Sequence, residues 1–288
     1  MDERERRKAM DELLAMDAEL VLDEGRRERC GVVVPFKLIG SKWKMRKRIA
    51  EAVGTGRRYV EPFCGTAVVF QEVFGRFRIY VLNDLDDRVA NFFKVLRDEE
   101  KRTGLLRMLR RTGYGLRELE DAIGKLDDED EVTKAWAFFT ASNMSHPCNY
   151  TFTAIRFSRT KDRDKPGMVI GKVKALMKLA RKLRNAYVEC RDWKEVVDFW
   201  DAHYTVFYLD PPYHGETRSK RLYRNEMHDH AELIDRLLYV KGKVVLSGLD
   251  NPDYGVLERA GWRKVEAWEG HKPTDRRDVL REILWIKD

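Results

Sequence analysis

Short apolar runs alternate with charged stretches over most of the chain, a pattern typical of folds in which strands and helices follow one another. Strands are predicted at residues 58–63, 78–82, 186–190, 204–209 and 243–247. Apolar residues at helical spacing follow the first two runs, from residue 68 and across 89–96. The last two runs, 262–267 and 281–286, have no helical segment between them and predict an antiparallel pair. The sequence therefore predicts an α/β fold with an open, mostly parallel sheet and an antiparallel C-terminal edge.

This alternation stops between residues 98 and 184, where charged helices and polar loops are predicted without strands between them. Such a segment is typical of an inserted, largely helical module. Trp136, Phe138 and Phe139 have helical spacing, which favours the module's own core over stacking on bases. The predicted domains are an accessory N-terminal helix at 1–30, a sheet domain formed by 31–97 with 185–288, and the insertion at 98–184.

The net charge of the chain indicates what kind of partner it could bind. The chain has a formal net charge of +7, and its basic residues are dense at 42–48, 156–165 and 218–224. This balance favours a polyanionic partner such as nucleic acid. Because 36% of the residues are charged and the acids nearly balance the bases, a solvated surface of mixed charge is the alternative interpretation.

Cysteine and histidine spacing favours neither a disulfide framework nor a metal site. The cysteines occur singly, without a C-x-x-C pair, at Cys30, Cys64, Cys148 and Cys190. His228 and His230 lack a third ligand at suitable spacing and are interpreted as a solvated capping cluster, so no metal is predicted. No apolar stretch approaches the roughly 18 residues of a spanning helix, and the first residues lack the apolar core of a signal peptide. A cytoplasmic or nucleoid-associated protein with no membrane contact is predicted.

The most informative chemistry follows the apolar run at 204–209, where the chain reads Asp210-Pro211-Pro212-Tyr213. The prolines fix the backbone as it leaves the strand and leave carbonyl oxygens as acceptors. Asp210 adds a second acceptor, and Tyr213 offers a ring on which a nucleobase can stack. An amine on an aromatic ring is a poor nucleophile, and two acceptors that hold its hydrogens favour its reactive, pyramidal form. An ordinary proline turn after a strand is the alternative.

Two other strand ends carry candidate ligand groups. Gly65, in the segment Glu61-Pro62-Phe63-Cys64-Gly65, allows the backbone to approach a ligand, although a plain turn is an equally simple interpretation. Asp84 follows the next predicted strand, where an acid can accept both hydroxyls of a ribose or can instead cap a helix. Because ligands bind beyond the carboxyl ends of the strands in such sheets, we expect all three segments to line one site.

Taken in chain order, these segments resemble the motifs of the DNA adenine methyltransferases of the Dam-like, alpha group. The family's P-F-x-K-x-x-G-G-K segment is similar to residues 35–42, its E-P-F-x-G-x-G segment to 61–67, its strand-end N-D to 83–84 and its D-P-P-Y to 210–213. The stretch at 91–97 also resembles the family, and the resemblance extends over nearly the whole chain from about Val34.

The resemblance implies a Rossmann-like methyltransferase sheet with S-adenosylmethionine as methyl donor, N6 of adenine in double-stranded DNA as acceptor, and the insertion as a target-recognition domain. Base flipping and direct in-line transfer are implied with it. The implied catalytic residues are Asp210, Pro211, Pro212 and Tyr213. The implied cofactor-binding residues are Glu61, Pro62, Phe63, Gly65 under the methionine part, Asp84 at the ribose, Lys42 in the donor pocket, and Asp192 with Trp193 at the adenine.

The chain also departs from the family pattern. Ser41 and Ala67 occupy positions where the family has glycine. The recognition segment at 143–152 resembles the family's only faintly, so a GATC target is not carried over. Contacts with DNA are predicted for Arg156, Arg159 and Asn149, and a restriction endonuclease that acts on the same site is a further candidate partner. The alternatives are a cytosine-N4 or RNA adenine methyltransferase and a catalytically silent DNA-binding subunit.

Overall fold

A computed structural model describes residues 31–38, 40–145, 165–212, 230–271 and 279–288. The chain divides into two compact units, which are described separately. The sheet unit contains residues 40–86 and 186–288, and the helical unit contains the described residues of 31–38 and 87–185.

The sheet unit is built on seven strands among its described residues. In chain order they are β1 (Arg58–Glu61), β2 (Ile79–Asn83), β3 (Ala186–Glu189), β4 (Thr205–Leu209), β5 (Lys243–Leu249), β6 (Arg263–His271) and β7 (Val279–Lys287). Their spatial order is β3-β2-β1-β4-β5-β7-β6. The pairs among β1 to β5 are parallel, whereas β7 is antiparallel to both β5 and β6. The predicted α/β fold with an antiparallel C-terminal edge is confirmed.

The described helices are, in chain order, α1 (Arg46–Val53), α2 (Val68–Val73), α3 (Asp87–Arg97), α4 (Glu99–Arg111), α5 (Leu116–Gly124), α6 (Glu131–Met144), α7 (Lys165–Leu183), α8 (Trp193–Trp200), α9 (His230–Tyr239) and α10 (Gly255–Arg259). Short 3-10 turns lie at Lys42–Lys44 and Pro252–Tyr254. Helices α3 to α7 belong to the helical unit, and the others belong to the sheet unit.

The core of the sheet unit forms because its central strands are apolar on both faces. Val60, Phe207 and Val244 are fully buried, and they pack in one cluster with Leu233 and Leu237 of α9. Parallel strands covered by helices on both faces read as continuous apolar runs of this kind. This packing fixes the strand ends on which the site is built.

The helical unit has an aromatic core. The ring of Phe36 lies 5.2 Å from that of Phe92 and 4.8 Å from that of Phe138, centroid to centroid. Phe139 stacks on Phe92 at 6.0 Å, and Trp136 is also buried. The prediction that the aromatic residues of this segment form a core is confirmed. Asp98 and Asp130 cap helices α4 and α6, because their side chains accept hydrogen bonds from backbone N–H groups of the first turn.

The compact units differ from the predicted domains at their boundaries. The helical unit begins at Asp87 rather than at residue 98, because α3 buries Phe92 and Phe93 in the aromatic core of that unit. Residues 31–38 also cluster with the helical unit, through Phe36. The accessory helix predicted at 1–30 lies outside the described residues.

Two further predictions concern histidines and membranes. His230 is buried at the start of α9, and its Nδ1 lies 2.6 Å from the hydroxyl of Tyr254, so the prediction that it is solvated was wrong. The packing of α9 against the sheet core brings this ring inside, where the Tyr254 hydroxyl contacts its Nδ1. Within the described ranges, no helix combines the length and the apolar character that a membrane crossing needs.

Candidate active site

Three carboxyl groups lie at the ends of neighbouring parallel strands. Glu61 is the last residue of β1, Asp84 follows β2, and Asp210 follows β4. Strand β1 pairs with β2 on one side and with β4 on the other, so the strand order reverses at this point. Open α/β sheets bind ligands beyond the carboxyl ends of the strands at such a position.

Asp210 is held by one of its two carboxylate oxygens. All residues of β4 are buried, and the side chain of Asp210, the first residue beyond it, is 18% exposed. Its Oδ1 lies 2.7 Å from Nζ of Lys42 and accepts a hydrogen bond of 3.0 Å from Oγ of Ser247. Its Oδ2 has no partner among the described residues. The side chain is therefore fixed in orientation while one oxygen keeps its acceptor capacity.

Lys42 connects Asp210 to a second acid. Its Nζ lies 3.0 Å from Oε1 of Glu282 on β7 and donates to the carbonyl of Gly40 at 3.3 Å. Lys42 and Glu282 are each only about 5% exposed. The resemblance assigned Lys42 to the donor pocket, whereas its ammonium group lies against the carboxylate of Asp210. These three residues are called the Asp210–Lys42–Glu282 triad below.

The environment raises the pKa of Asp210. Burial raises the pKa of this carboxyl to about 6, against the opposing effect of the Lys42 ammonium. The carboxylate of Glu282 adds to the rise, and the hydrogen bonds from Lys42 and Ser247 oppose it. At neutral pH, Asp210 is therefore largely ionised but is a stronger base than an exposed aspartate.

Asp84 closes the turn after β2. Its Oδ2 accepts a hydrogen bond of 2.8 Å from the backbone N–H of Gly65, and its Oδ1 accepts one of 3.0 Å from that of Asp86. Burial raises the pKa of Asp84 to about 7, although the two backbone donors oppose the rise. Each oxygen holds one donor and has a further lone pair for a ligand. The predicted ribose acid and the predicted glycine loop are thus in direct contact.

Asn83 ties the three strand ends together. Its side-chain amide donates to the carbonyl of Pro62 at 2.9 Å and to that of Arg191 at 3.0 Å. Its side-chain oxygen accepts from the N–H of Arg191, and its backbone carbonyl accepts from the N–H of Cys64. These bonds fix the loop after β1 and the segment after β3 relative to β2.

Glu61 points into the protein interior. Its Oε2 accepts a hydrogen bond of 2.9 Å from the hydroxyl of Tyr59, and the residue is 2% exposed. Burial raises the pKa of this carboxyl well above its usual range. A backbone hydrogen bond from Phe70 of α2 opposes the rise, so the contacts of Glu61 join β1 to α2.

The remaining predicted cofactor residues lie beside that loop. The ring of Phe63 is 6.3 Å from that of Trp193, which is largely buried in the sheet core. Asp192 caps α8, because its Oδ1 accepts a hydrogen bond of 2.9 Å from the N–H of Lys194. Asp192 and Trp193 therefore have clear local roles at the start of α8.

The two departures from glycine have identifiable local structures. Ser41 lies 3.1 Å from Thr66, hydroxyl to hydroxyl, and this contact joins the segment that carries Lys42 to the loop after β1. Ala67 has φ 51° and ψ 33°, the left-handed conformation that glycine adopts most readily. Within the described ranges it is the one residue other than glycine with positive φ.

Other predicted site residues can be placed only in part. Pro211 is buried and Pro212 is partly exposed, and both follow Asp210 outside any helix or strand. Tyr213 lies outside the described residues, as do the predicted DNA contacts Asn149, Arg156 and Arg159.

The sequence analysis missed two residues that contact this site, Ser247 and Glu282. Ser247 is a buried hydroxyl near the end of the apolar strand β5, and Glu282 is a buried acid in the apolar run of β7. Each is a polar residue inside an apolar run that predicts a buried strand, and this pattern could have identified both as candidate site residues. The sequence did not show which partner each residue would meet.

Comparison with known families agrees with this geometry. Residues 38–248, well over half of the chain, match the model of the D12 class N6 adenine-specific DNA methyltransferases. The match includes the triad residues Lys42 and Asp210, and it ends before Glu282. No curated protein matches the chain. The chain therefore belongs to the D12 class of N6 adenine-specific DNA methyltransferases, enzymes that use S-adenosylmethionine as the methyl donor.

Proposed function

We propose that the protein methylates an adenine that has been flipped out of duplex DNA, with Asp210 as the group that accepts a hydrogen of the target amine. The observation that carries this proposal is the asymmetry of the Asp210 carboxylate, in which Oδ1 is held by Lys42 and Ser247 and Oδ2 has no described partner. A held carboxylate with one available oxygen suits an amine that must be oriented.

S-adenosylmethionine supplies a methyl group on a sulfonium, and the sulfur leaves with the bonding electron pair as the N6–carbon bond forms. The amine becomes positively charged in this step and must then lose a proton. Asp210 accepts the hydrogen bond through Oδ2 and, with a pKa raised to about 6, is basic enough to take that proton or to pass it to water. The carbonyl of Pro211 is the proposed second acceptor. Fixed geometry of this kind can contribute roughly 7–11 kcal/mol to the acceleration.

The residues beyond β1 and β2 fit the methyl donor. The two oxygens of Asp84 each have a lone pair beyond their backbone bond, which suits the two hydroxyls of a ribose. Gly65, at φ 45°, has no Cβ to obstruct a ligand beside the loop. Asp84 is therefore the proposed ribose ligand, with Gly65, Pro62 and Phe63 beside the methionine part. Asp192 and Trp193 remain the proposed neighbours of the cofactor's adenine.

Recognition of DNA is proposed for the helical unit and for the basic segments. A base within a duplex cannot reach an enclosed site, so it must be extruded at a cost of a few kcal/mol, which stacking on Tyr213 would partly offset. Arg156, Arg159 and Asn149 stay predictions for contact with DNA. The protein would act where DNA is accessible, in the cytoplasm or on the nucleoid, and a restriction endonuclease of the same specificity stays a predicted partner.

The test compares two variants of the full chain. Asp210→Ala should lower the rate of tritiated-methyl transfer to DNA by about 10³-fold or more, since it removes the acceptor, and should change the Kd for S-adenosylmethionine by less than about threefold. Asp84→Ala should raise that Kd by about 10- to 100-fold, because hydrogen bonds to a charged group contribute roughly 1.5–3 kcal/mol. Calorimetry measures the binding, and nucleoside analysis identifies the methylated base.

Each alternative has its own outcome. Label in N4-methylcytosine, or in RNA alone, would contradict the proposed acceptor. Methylation of DNA by Asp210→Ala at the parent rate would remove Asp210 from the mechanism. A parent protein that binds DNA and the donor but transfers no methyl group would be a silent DNA-binding subunit.

A further inference from the structure

Glu282 is an unexpected neighbour for a catalytic carboxylate. A buried Lys42–Asp210 pair would already be neutral, and the second carboxylate makes the Asp210–Lys42–Glu282 triad negative overall. Removing an additional charge from water is unfavourable unless its contacts compensate. Glu282 therefore lies where packing alone would favour a neutral or apolar residue.

Sharing of the ammonium explains what Glu282 can do. Lys42 approaches Asp210 at 2.7 Å and Glu282 at 3.0 Å, so its positive charge acts on both carboxylates. A lysine paired with Asp210 alone would stabilise the negative charge on both carboxylate oxygens of Asp210, and this would weaken Asp210 as an acceptor. A second carboxylate on the same ammonium leaves Asp210 held in position but more basic.

We propose that Glu282 is a positioning residue for methyl transfer: it holds the Lys42 ammonium between two carboxylates and so keeps Asp210 both oriented and basic. The inference rests on the proposed role of Asp210 and adds to it a residue outside the part of the chain that matches the family model. Glu282 acts through Lys42 and through the charge it adds near Asp210.

Other ionisable groups face Asp210 and must be considered in any pH experiment. Among the described residues, and besides Lys42 and Glu282, they are Tyr208 on β4, Glu61 on β1, and Tyr254 in the turn before α10. Burial raises the pKa of both tyrosines, which are neutral near pH 6, and it also raises the pKa of Glu61. Glu61 is the same in every variant compared, so a difference between their profiles does not come from its replacement. Asp84, the proposed ribose ligand, has a pKa raised to about 7 and titrates in the same range, so the profile is measured with S-adenosylmethionine at saturation.

The experiment is the pH profile of kcat for methyl transfer at saturating S-adenosylmethionine, in the full chain and in Glu282→Gln. In the parent, activity should rise as pH passes through about 6, the pKa of Asp210. Loss of the Glu282 charge lowers that pKa, because a repelling carboxylate disappears and the Lys42 ammonium is no longer shared with it. The acid limb should therefore move to lower pH, and kcat at pH 8 should fall about tenfold as Asp210 becomes a weaker base. KM for both substrates should stay within about threefold.

Glu266→Gln is the matched control. Glu266 lies on the neighbouring strand β6, is exposed, and has the same charge. Its replacement should leave the acid limb and kcat at the parent values. If Glu282→Gln behaves like Glu266→Gln, the inference is wrong. Should Glu282→Gln fail to fold, Glu282→Asp withdraws the same charge by one methylene, and an unchanged profile in that variant would overturn the inference equally.

A double-variant cycle tests whether Glu282 acts through Lys42. In a Lys42→Met background the shared ammonium is gone and only the direct repulsion between the two carboxylates remains, so adding Glu282→Gln should change kcat at pH 8 by about threefold instead of tenfold. An undiminished tenfold effect in that background would contradict the proposed route. Failure of the proposed function is distinguishable, because Asp210→Ala would then retain methyl transfer whatever the Glu282 variants do.

Discussion

At the residue scale, the candidate site contains several carboxyl groups whose charged forms are disfavoured by burial. Burial raises the pKa values of Asp210 and Asp84 to about 6 and about 7, and that of Glu61 well above its usual range. Such shifts cluster where chemistry requires a base or a ligand of adjusted strength. The same shifts mean that ionisation of these groups opposes folding.

Replacement of Asp210 by asparagine should therefore stabilise the protein while it abolishes activity. The pKa of Asp210 is higher in the folded protein than in the unfolded chain, so its contribution favours folding fully below about pH 4 and is lost as pH rises through 6. Asparagine keeps an oxygen for Lys42 and Ser247 and leaves Lys42 and Glu282 as a neutral pair. At pH 8, Asp210→Asn should raise the free energy of unfolding by about 1–3 kcal/mol. Denaturant titrations at pH 8 and pH 4 measure this.

The gain should be small near pH 4, where Asp210 is protonated in the folded protein and about half protonated in the unfolded chain. Asp198→Asn is the control, because that carboxylate is 61% exposed and pairs with Arg236 at the surface. It should change stability by less than about 1 kcal/mol at either pH. A loss of stability in Asp210→Asn at pH 8 would show that the ionised triad stabilises the fold.

The sequence identified the candidate residues whose position depends on a single strand. Asp84 and Asp210 were identifiable because each follows an apolar run, and the ends of parallel strands meet. Ser247 and Glu282 reach the site from β5 and β7, and only the pairing of those strands brings them near β4. Lys42 was recognised as a site residue, but its contact with Asp210 depends on a distance of 168 positions along the chain that no local pattern encodes.

At the element scale, the turn from β1 into α2 is the most constrained piece of backbone. Ala67 precedes α2 in the left-handed conformation and is fully buried. A residue with a Cβ is strained there by roughly 1–2 kcal/mol. Its methyl group is buried in compensation, and a buried methyl contributes about 0.8 kcal/mol.

Ala67→Gly should consequently leave stability almost unchanged, within about 1 kcal/mol, because relief of strain offsets the lost methyl group. The same substitution at Ala90, equally buried but within α3, should destabilise by about 2 kcal/mol, since it loses a methyl group and helix propensity together. Thermal and denaturant unfolding of both variants measures the difference. Equal losses at the two positions would mean that the Ala67 backbone is unstrained.

The pattern of apolar residues predicted the elements well where each strand is buried on both faces. Strands β1, β2, β4 and β5 were predicted within a few residues, because a short, continuous apolar run between turns is typical of a buried strand. The assignment of α3 to the sheet domain failed to anticipate its partners. The ring of Phe92 in this helix packs against those of Phe36 and Phe138. Residue spacing predicts which face of a helix is apolar, but it does not show which other element packs against that face.

At the scale of the whole molecule, the chain combines a sheet unit that carries the candidate chemistry with a helical unit inserted after β2. The formal net charge of +7 belongs to the full chain, and the polyanionic substrate is DNA. Charge attracts any duplex, whereas the choice of target requires contacts with base edges. Affinity and specificity should therefore respond to different changes.

Salt should separate the two binding events of this enzyme. Each phosphate that a basic side chain neutralises releases counterions, so log K for DNA should fall linearly with log salt, with a slope of about −0.9 for each contact. Affinity for S-adenosylmethionine, which is held mainly by Asp84 and the backbone in our proposal, should change little over the same range.

If Arg156 and Arg159 contact phosphates, their joint replacement by alanine should reduce the slope by about 2 without changing donor binding. Arg236→Ala is the control, because Asp198 and Glu232 surround that guanidinium and would repel a phosphate. An unaltered slope in the Arg156 and Arg159 variant, measured by fluorescence anisotropy, would exclude both residues from the phosphate contacts.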